Sequence, residues 1–294
     1  MLTLTFLGVG SAFAKRNLQS NALVEAWRDG DGPKCPPDDT LLIDFGATGP
    51  IALHNLKCEE GFEYLDQGGL INYPAIRRVF ITHLHADHIG GLEELALMNK
   101  YTFGERFAGG ARATQLVITD ELAEALWEHS LKGGLRAAPH GEARLSDYFS
   151  VSLIDIPGGS RPDRFTMCGR YEISVFRTHH VAMFEKHDWP SYGLVLVDRA
   201  SGERVVYSGD TQFDAAAFDG VMAGAKIIFH DVQLEDHDGA VHAPLPRMRS
   251  LPEEVRRRII LYHYGDAWDD GKYDFVDREF AGFAKPMQRY ALFA

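Results

Sequence analysis

Three histidines and an aspartate, His83, His85, Asp87 and His88, fall within the six residues that centre the stretch "FITHLHADHIGG". Neutral imidazole nitrogen and carboxylate oxygen are the donors that borderline divalent ions favour. Further along, His180 closes "YEISVFRTHH", Asp210 closes "VVYSGD" and His263 sits in "IILYHYGD". Five histidines and two aspartates suffice for two metal ions with coordination positions left open, and an open position allows an ion to activate water. His83 and His85 are two apart, so on a strand-like exit they face one side and can hold one ion together. Asp87 and His88 come after the chain has begun to turn toward a helix and can aim at a second ion. His179 and His180 are adjacent and point to opposite faces of an extended chain, so spacing alone leaves open which of them joins the site.

Each of these residues lies at or just past the end of a segment that reads as a strand. "LTLTFLGV" (2–9), "SNALVEAW" (20–27), "TLLIDFG" (40–46) and "RRVFIT" (77–82) carry strand patterns early in the chain. The Pro- and Gly-rich "DGDGPKCPPDD" between the second and third cannot lie inside a sheet and reads as a long hairpin loop. Later come "YEISVFRTHH", the hairpin "YGLVLVDRASGERVVYSGDT", "AKIIFHD" and "RIILYHYGD". "GGLEELALMNKY" and "TDELAEALWEHSL" read as helices, Lys132 to Ser150 as loop, and "LPEEVRR" as a helix start with Pro252 in the first position. Side chains leaving several strands can converge on one rim, and convergence of this kind builds a site.

Composition bounds the rest. The 294 residues are 45% hydrophobic and 24% charged, which suits one compact domain spanning 1–294 with insertions around 28–40 and 101–170. A net charge of −12 disfavours broad binding to nucleic acid or anionic membrane. Three scattered cysteines read as free thiols in a reducing compartment. The N-terminus reads as a first strand and lacks a signal-peptide pattern, and no apolar run is long enough for a bilayer, so a cytoplasmic address is expected.

"THLHADHIGG" resembles the HxHxDH signature of the metallo-beta-lactamase superfamily. The likeness extends over nearly the whole chain: "FLGVGSAF" looks like the first strand and glycine loop, "LLIDFG" like the buried aspartate motif, "RTHH" like the third metal motif, "YSGDT" like the bridging-aspartate motif, and "LYHYGD" like the last histidine. The resemblance implies an α/β fold, a four-layer αββα sandwich with two metal ions at the edge between the sheets. It assigns His83, His85 and His180 to the first ion, Asp87, His88 and His263 to the second, and Asp210 to both. His180 is preferred to His179 because "THH" matches the family's T-x-H ending. The ions implied are divalent, zinc first, with manganese or iron compatible.

The interval between Asp210 and His263 is similar to that of the ribonuclease Z-like phosphodiesterase group, with His230 and Asp231 matching a His-acid pair and His242 a second histidine. Asp231 stands where that group has glutamate, and "HAPL" replaces a His-Ser-Thr run. The resemblance thus implies a dinuclear metallo-hydrolase acting through a hydroxide activated by the metals. Asp87 would orient that hydroxide, and His242, held by Asp231, would protonate the leaving group. The substrate expected is RNA 3′ ends or a smaller phosphodiester such as a cyclic nucleotide, and the acidic charge, with no obvious basic arm, favours the smaller. A carboxylic ester, lactone or thioester hydrolase is the alternative on the same site. Asp44 reads either as an outer partner orienting a ligand histidine or as a plain turn residue. Oligomeric state stays open, although related phosphodiesterases are often dimers and a homodimer is compatible.

Overall fold

The apolar strand patterns resolve into two sheets whose inner faces meet. The computed structural model describes the chain except residues 29–31, 105–112, 140 and 184–186, so parts of both expected insertions lie outside the described residues. In chain order the first strands are β1 (Leu2–Gly8), β2 (Asn21–Ala26), β3 (Asp39–Ile43), the short pair β4 (Asp66–Gln67) and β5 (Leu70–Ile71), β6 (Arg78–Phe80) and β7 (Gln115–Thr119). A second short pair, β8 (Ala137–Ala138) and β9 (Gly141–Glu142), precedes β10 (Ser150–Ile154), β11 (Arg164–Met167), β12 (Tyr171–Met183) and β13 (His187–Asp198). The last are β14 (Arg204–Tyr207), β15 (Ile227–Asp231), β16 (Ile259–Tyr262) and β17 (Arg289–Phe293). One sheet has the order β10-β7-β6-β3-β2-β1-β17, and the other β11-β12-β13-β14-β15-β16.

Both sheets change from antiparallel to parallel along their width, at β3/β6 in the first and at β14/β15 in the second. The parallel strands "RVVY", "IIFHD" and "IILY" are almost wholly buried, as expected where both faces are covered. Phe6 of β1 crosses the interface between the sheets, its ring 5.5 Å from Phe229 and 5.3 Å from Tyr262. Helices flank this core: α1 (Gly49–Leu56) follows β3, α2 (Ala86–Ile89) and α3 (Leu92–Leu97) follow β6, and α4 (Asp120–Leu126) follows β7. α5 (Lys132–Leu135), α6 (Ala215–Asp219), α7 (Leu245–Met248), α8 (Glu253–Arg256) and α9 (Val276–Glu279) complete the set. Among the described residues no helix is long and apolar enough to cross a membrane.

Several sequence expectations are corrected here. Strands β7, β10 and β17 and helix α1 have no counterpart in the reading above; β7 and β10 extend the first sheet on its parallel side and β17 closes the other edge. The Lys132–Ser150 stretch, read as loop, contains α5 and the β8/β9 pair. α3 and α4 each widen into π-type turns, at Met98–Phe103 and Trp127–Leu131. Pro252 stands one residue ahead of α8 as its N-cap. His180 does not end its strand, because β12 runs on to Met183 and the register shifts between His179 and Ala182. That bulge re-aims the side chains at the point where a ligand is needed.

The two sheets are stitched together along one edge. Tyr192 N donates to Thr82 O at 3.1 Å, and His263 N donates to Val9 O at 2.7 Å. The C-terminal ends of β3, β6, β14, β15 and β16 all reach this edge, where Asp231 ends β15 and the loops that leave the other strands carry Asp44, His83, Asp210 and His263.

Candidate metal centre

The strand-to-helix turn after β6 delivers four side chains in six residues. His83 lies between β6 and α2, His85 precedes α2 with ψ 151°, and Asp87 and His88 occupy the helix itself. The turn fits because Gly46 lies beside it: a Cβ there would run into the Asp87 carbonyl. Asn21 fastens the same point, accepting from Gly46 N at 2.9 Å and donating to Asp87 O at 3.2 Å. Asp44 and His263 hold left-handed backbone, with φ of 61° and 64°. Such conformations are costly away from glycine and persist where the surroundings fix them.

Among the described residues three groups of donor atoms form, one of them Asp210, Asp231, His242 and His263; the other two hold the ligands expected from the sequence. In the first, His83 Nε2 and His180 Nε2 stand 2.9 Å and 3.2 Å from His85 Nδ1. In the second, His88 Nε2 lies 3.2 Å from both Asp87 Oδ2 and Asp210 Oδ2, and His263 Nε2 lies 3.3 Å and 3.2 Å from the same two oxygens. Asp210 reaches the first group as well, with Oδ2 3.8 Å from His83 Nε2. Within each group the donor atoms lie within 4.8 Å of one another. Every residue expected from the sequence to bind metal is therefore at this corner. His180 faces it and is buried, whereas His179 is exposed on the other side of β12 and lines a cavity of about 270 Å³ with Thr211, Gln212 and His230.

The outer hydrogen bonds fix which ring nitrogens carry protons. Asp44 is fully buried and accepts from Thr82 N at 2.8 Å, from Thr82 Oγ1 at 2.7 Å and from His88 Nδ1 at 2.7 Å. Because the Thr82 hydroxyl donates to Asp44, it accepts from His83 Nδ1 at 3.0 Å. His180 Nδ1 donates to Val241 O at 2.9 Å. In the neutral tautomers these bonds select, the Nε2 lone pairs of His83 and His180 point inward. Buried lone pairs that converge on one point cost free energy unless a donor or a cation meets them. The atoms His88 Nε2 and Asp210 Oδ1 support a cation there, being buried without a hydrogen-bond partner among the described residues. The donor set thus fits divalent metal ions.

Electrostatics separate the two groups. Burial, reinforced by the charge of neighbouring imidazoles, pushes His83 well below the ordinary imidazole range, and burial lowers His85 and His180 in the same way. Burial also works against charge on His88, but Asp210, Asp44 and Asp87 outweigh it and hold that ring well above its usual value. Burial of Asp87 and Asp210 is likewise overcome, chiefly by His88 for the one and His263 and His88 for the other, and both carboxyls stay below the usual carboxylate range.

Beside the second group stands a histidine outside it. His242 Nδ1 donates to the buried Asp231 Oδ2 at 2.9 Å and lies 3.8 Å from Asp210 Oδ2. Asp231 is itself pinned by Thr211 N at 3.2 Å and by the Ser208 hydroxyl, which accepts from Asp231 N at 3.1 Å. Burial opposes a charge on His242, yet the Asp231 hydrogen bond and Asp210 raise it above the ordinary value. His230 packs against Phe218 and donates through Nδ1 to the Asp231 carbonyl at 2.8 Å, away from the reactive corner. Thr82, Asn21, Thr178 and Ser191, the last two donating to the Asp210 carbonyl at 3.1 Å and 3.0 Å, were not singled out from sequence. The threonine preceding each histidine motif, in "ITHLH" and "RTHH", is the signal that could have found two of them.

With this geometry in hand, the comparisons with known proteins can be placed. The model of a protein family described as "Anti-Pycsar protein Apyc1" matches residues 2–290. A protein of that name from Bacillus phage vB_BveM-Goe7 is 38% identical over 268 residues, 90% of this chain and 89% of its own length. Another from Paenibacillus sp. (strain J14) is 35% identical over 284 residues, 94% of this chain and 96% of its own. Solved structures share the fold at much lower identity. The metallo-beta-lactamase fold protein YhfI from Bacillus subtilis superposes with a TM-score of 0.65 at 16% identity, over 98% of each chain. Yeast PDE1 gives 0.69 at 14% over 99% of each chain, and human tRNase Z, short form, gives 0.61 at 18% over all of both. The fold is therefore of the metallo-beta-lactamase type, as the HxHxDH resemblance implied.

Proposed function

The chain belongs to the family of the anti-Pycsar protein Apyc1, and from that premise we propose that it is a metal-dependent phosphodiesterase acting on a small substrate such as a cyclic nucleotide. His83, His85 and His180 would hold one divalent ion, zinc being the first candidate; Asp87, His88 and His263 would hold another, with Asp210 between them. When bound, two such ions supply an activated water at neutral pH and neutralise charge on the phosphoryl group. Asp87, with one oxygen facing both His88 and His263, orients what lies between the groups.

The observation that carries the reading is the Asp231–His242 pair. A phosphodiester expels an alkoxide, which needs a proton as it leaves. Asp231 holds Nδ1 of His242, so the proton to be delivered is on Nε2, and the Asp231 hydrogen bond and Asp210 raise the affinity of this ring for it. Thiolates, the leaving groups of thioesters, require no such donor. A net charge of −12 also favours a small phosphodiester over RNA.

Purified protein of known metal content, assayed on bis-p-nitrophenyl phosphate, a lactone and a thioester, tests the class. The phosphodiester is expected to be turned over fastest; much faster turnover of the carbon esters would replace this reading with the ester hydrolase. His242→Ala tests the donor. General acid catalysis is worth about 10²–10⁴-fold, and that loss is expected with an alkyl leaving group. p-Nitrophenolate leaves unaided, so its release should change little.

A further inference from the structure

His85 differs from the other histidines of its group in how it is held. His83 is anchored through Nδ1 by the Thr82 hydroxyl and His180 through Nδ1 by the Val241 carbonyl. His85 turns Nδ1 inward, and among the described residues no hydrogen bond engages its outward Nε2. It is also the one member of the group that is only partly buried. A ligand with neither anchor nor full burial should be loosely oriented, yet its ring is enclosed on three sides. His83 and His180 meet it edge-on, at 4.7 Å and 5.0 Å between ring centroids with interplanar angles of 82° and 75°. On the third side the indole of Trp189 lies against it nearly parallel, at 5.9 Å and 13°.

The fold delivers Trp189 there for a reason. Register pairs His179 with Pro190 and Ala182 with Asp188, so Trp189 faces the bulge that holds His180. Alternation along β13 puts Trp189 on the same face as Ser191, whose hydroxyl holds the Asp210 carbonyl. The indole N–H is shielded from solvent and has no partner among the described residues. Trp189 therefore contributes its aromatic face and no hydrogen bond.

We infer that Trp189 is the positioning residue for His85, its stacked indole doing for that ring what outer hydrogen bonds do for His83 and His180. The inference rests on the reading of His85 as a metal ligand. Removal of an outer partner of a ligand typically weakens metal binding by about 10–100-fold.

The test uses the full chain and zinc, with cobalt as a spectroscopic probe. Wild type is expected to bind two ions; if it binds none, the metal reading fails before Trp189 is in question. In Trp189→Ala, chelator competition should show one of the two ions weakened by about 10–100-fold and the other within about 2-fold. The weakened ion should be the one lost in His85→Gln, and its cobalt absorption should shift. Raising free zinc should restore kcat with KM unchanged, because Trp189 acts through His85. Trp189→Phe retains an aromatic face and gives up only the unpaired N–H, so it should return both affinities to wild type. If Trp189→Ala does not fold, Trp189→Leu, which keeps apolar bulk without the flat face, takes its place with the same expectation. Wild-type affinities in the alanine or leucine variant, equal loss at both ions, or a phenylalanine variant no better than alanine would overturn the inference.

Discussion

The two donor groups sit side by side around Asp210, yet they solve the problem of burial in opposite ways. The first is three imidazoles whose lone pairs face one another, with basicity lowered by burial and by mutual repulsion. The second mixes two imidazoles with two carboxylates, and His88 there is held above its ordinary value, so a proton can occupy the place a cation would take. The first group is preformed for an ion and has no substitute for it, whereas the second is balanced by protons until an ion displaces them. Ligand type, more than ligand count, decides how each half behaves without metal.

The largest effect should come from erasing the distinction. Asp210 is the carboxylate whose oxygen faces both donor groups, and metal ions contribute several kcal/mol to the transition state, so Asp210→Asn is expected to lower kcat/KM by more than about 1000-fold. Elemental analysis should find both ions depleted, and loss of one alone would show that Asp210 belongs to a single half. Next in size are the outer partners. Asp44 serves His88 directly and His83 through Thr82, so Asp44→Asn, which tolerates the left-handed backbone, should weaken both ions by about 10–100-fold. Thr82→Val removes the His83 partner and one of the donors to Asp44 but leaves the Asp44–His88 bond in place, so it should weaken the first ion more than the second. Equal effects of the two substitutions would deny that the halves can be addressed separately.

The smallest effect is a proton count. Near pH 7 the rings of the first group are neutral, since burial lowers them, and binding there should release essentially no proton. His88, raised, carries one that the second ion must expel, so calorimetry in buffers of different ionisation enthalpy should find about one proton released with that ion. Its affinity should accordingly fall about tenfold per unit as pH drops through the neutral range, while that of the first stays flat until pH reaches the lowered imidazole values. Identical pH profiles for both ions would remove the electrostatic contrast.

Much of this corner is legible in the linear chain because its chemistry is local. The spacing in "HLHADH" and the strand ahead of it identify four side chains without reference to anything distant, and a histidine or aspartate at the end of each later apolar run supplies the rest. Residue type also fixes what the site can bind. Pairing is not local: "QLVIT" at 115–119 is a five-residue run with no alternation, and it becomes a strand because β6 and β10 flank it. The choice between His179 and His180 depends on a bulge, which a pattern of period two cannot register. Asp44 is a turn residue or the common anchor of two ligands according to where the loop after β6 passes, and Trp189 gains its role from a ring that is 104 positions away in the chain. Sequence determines donor atoms, since these are properties of single residues. Only the folded chain decides which face, tautomer and neighbour each of them has, because those are set by contacts between segments that the chain keeps far apart.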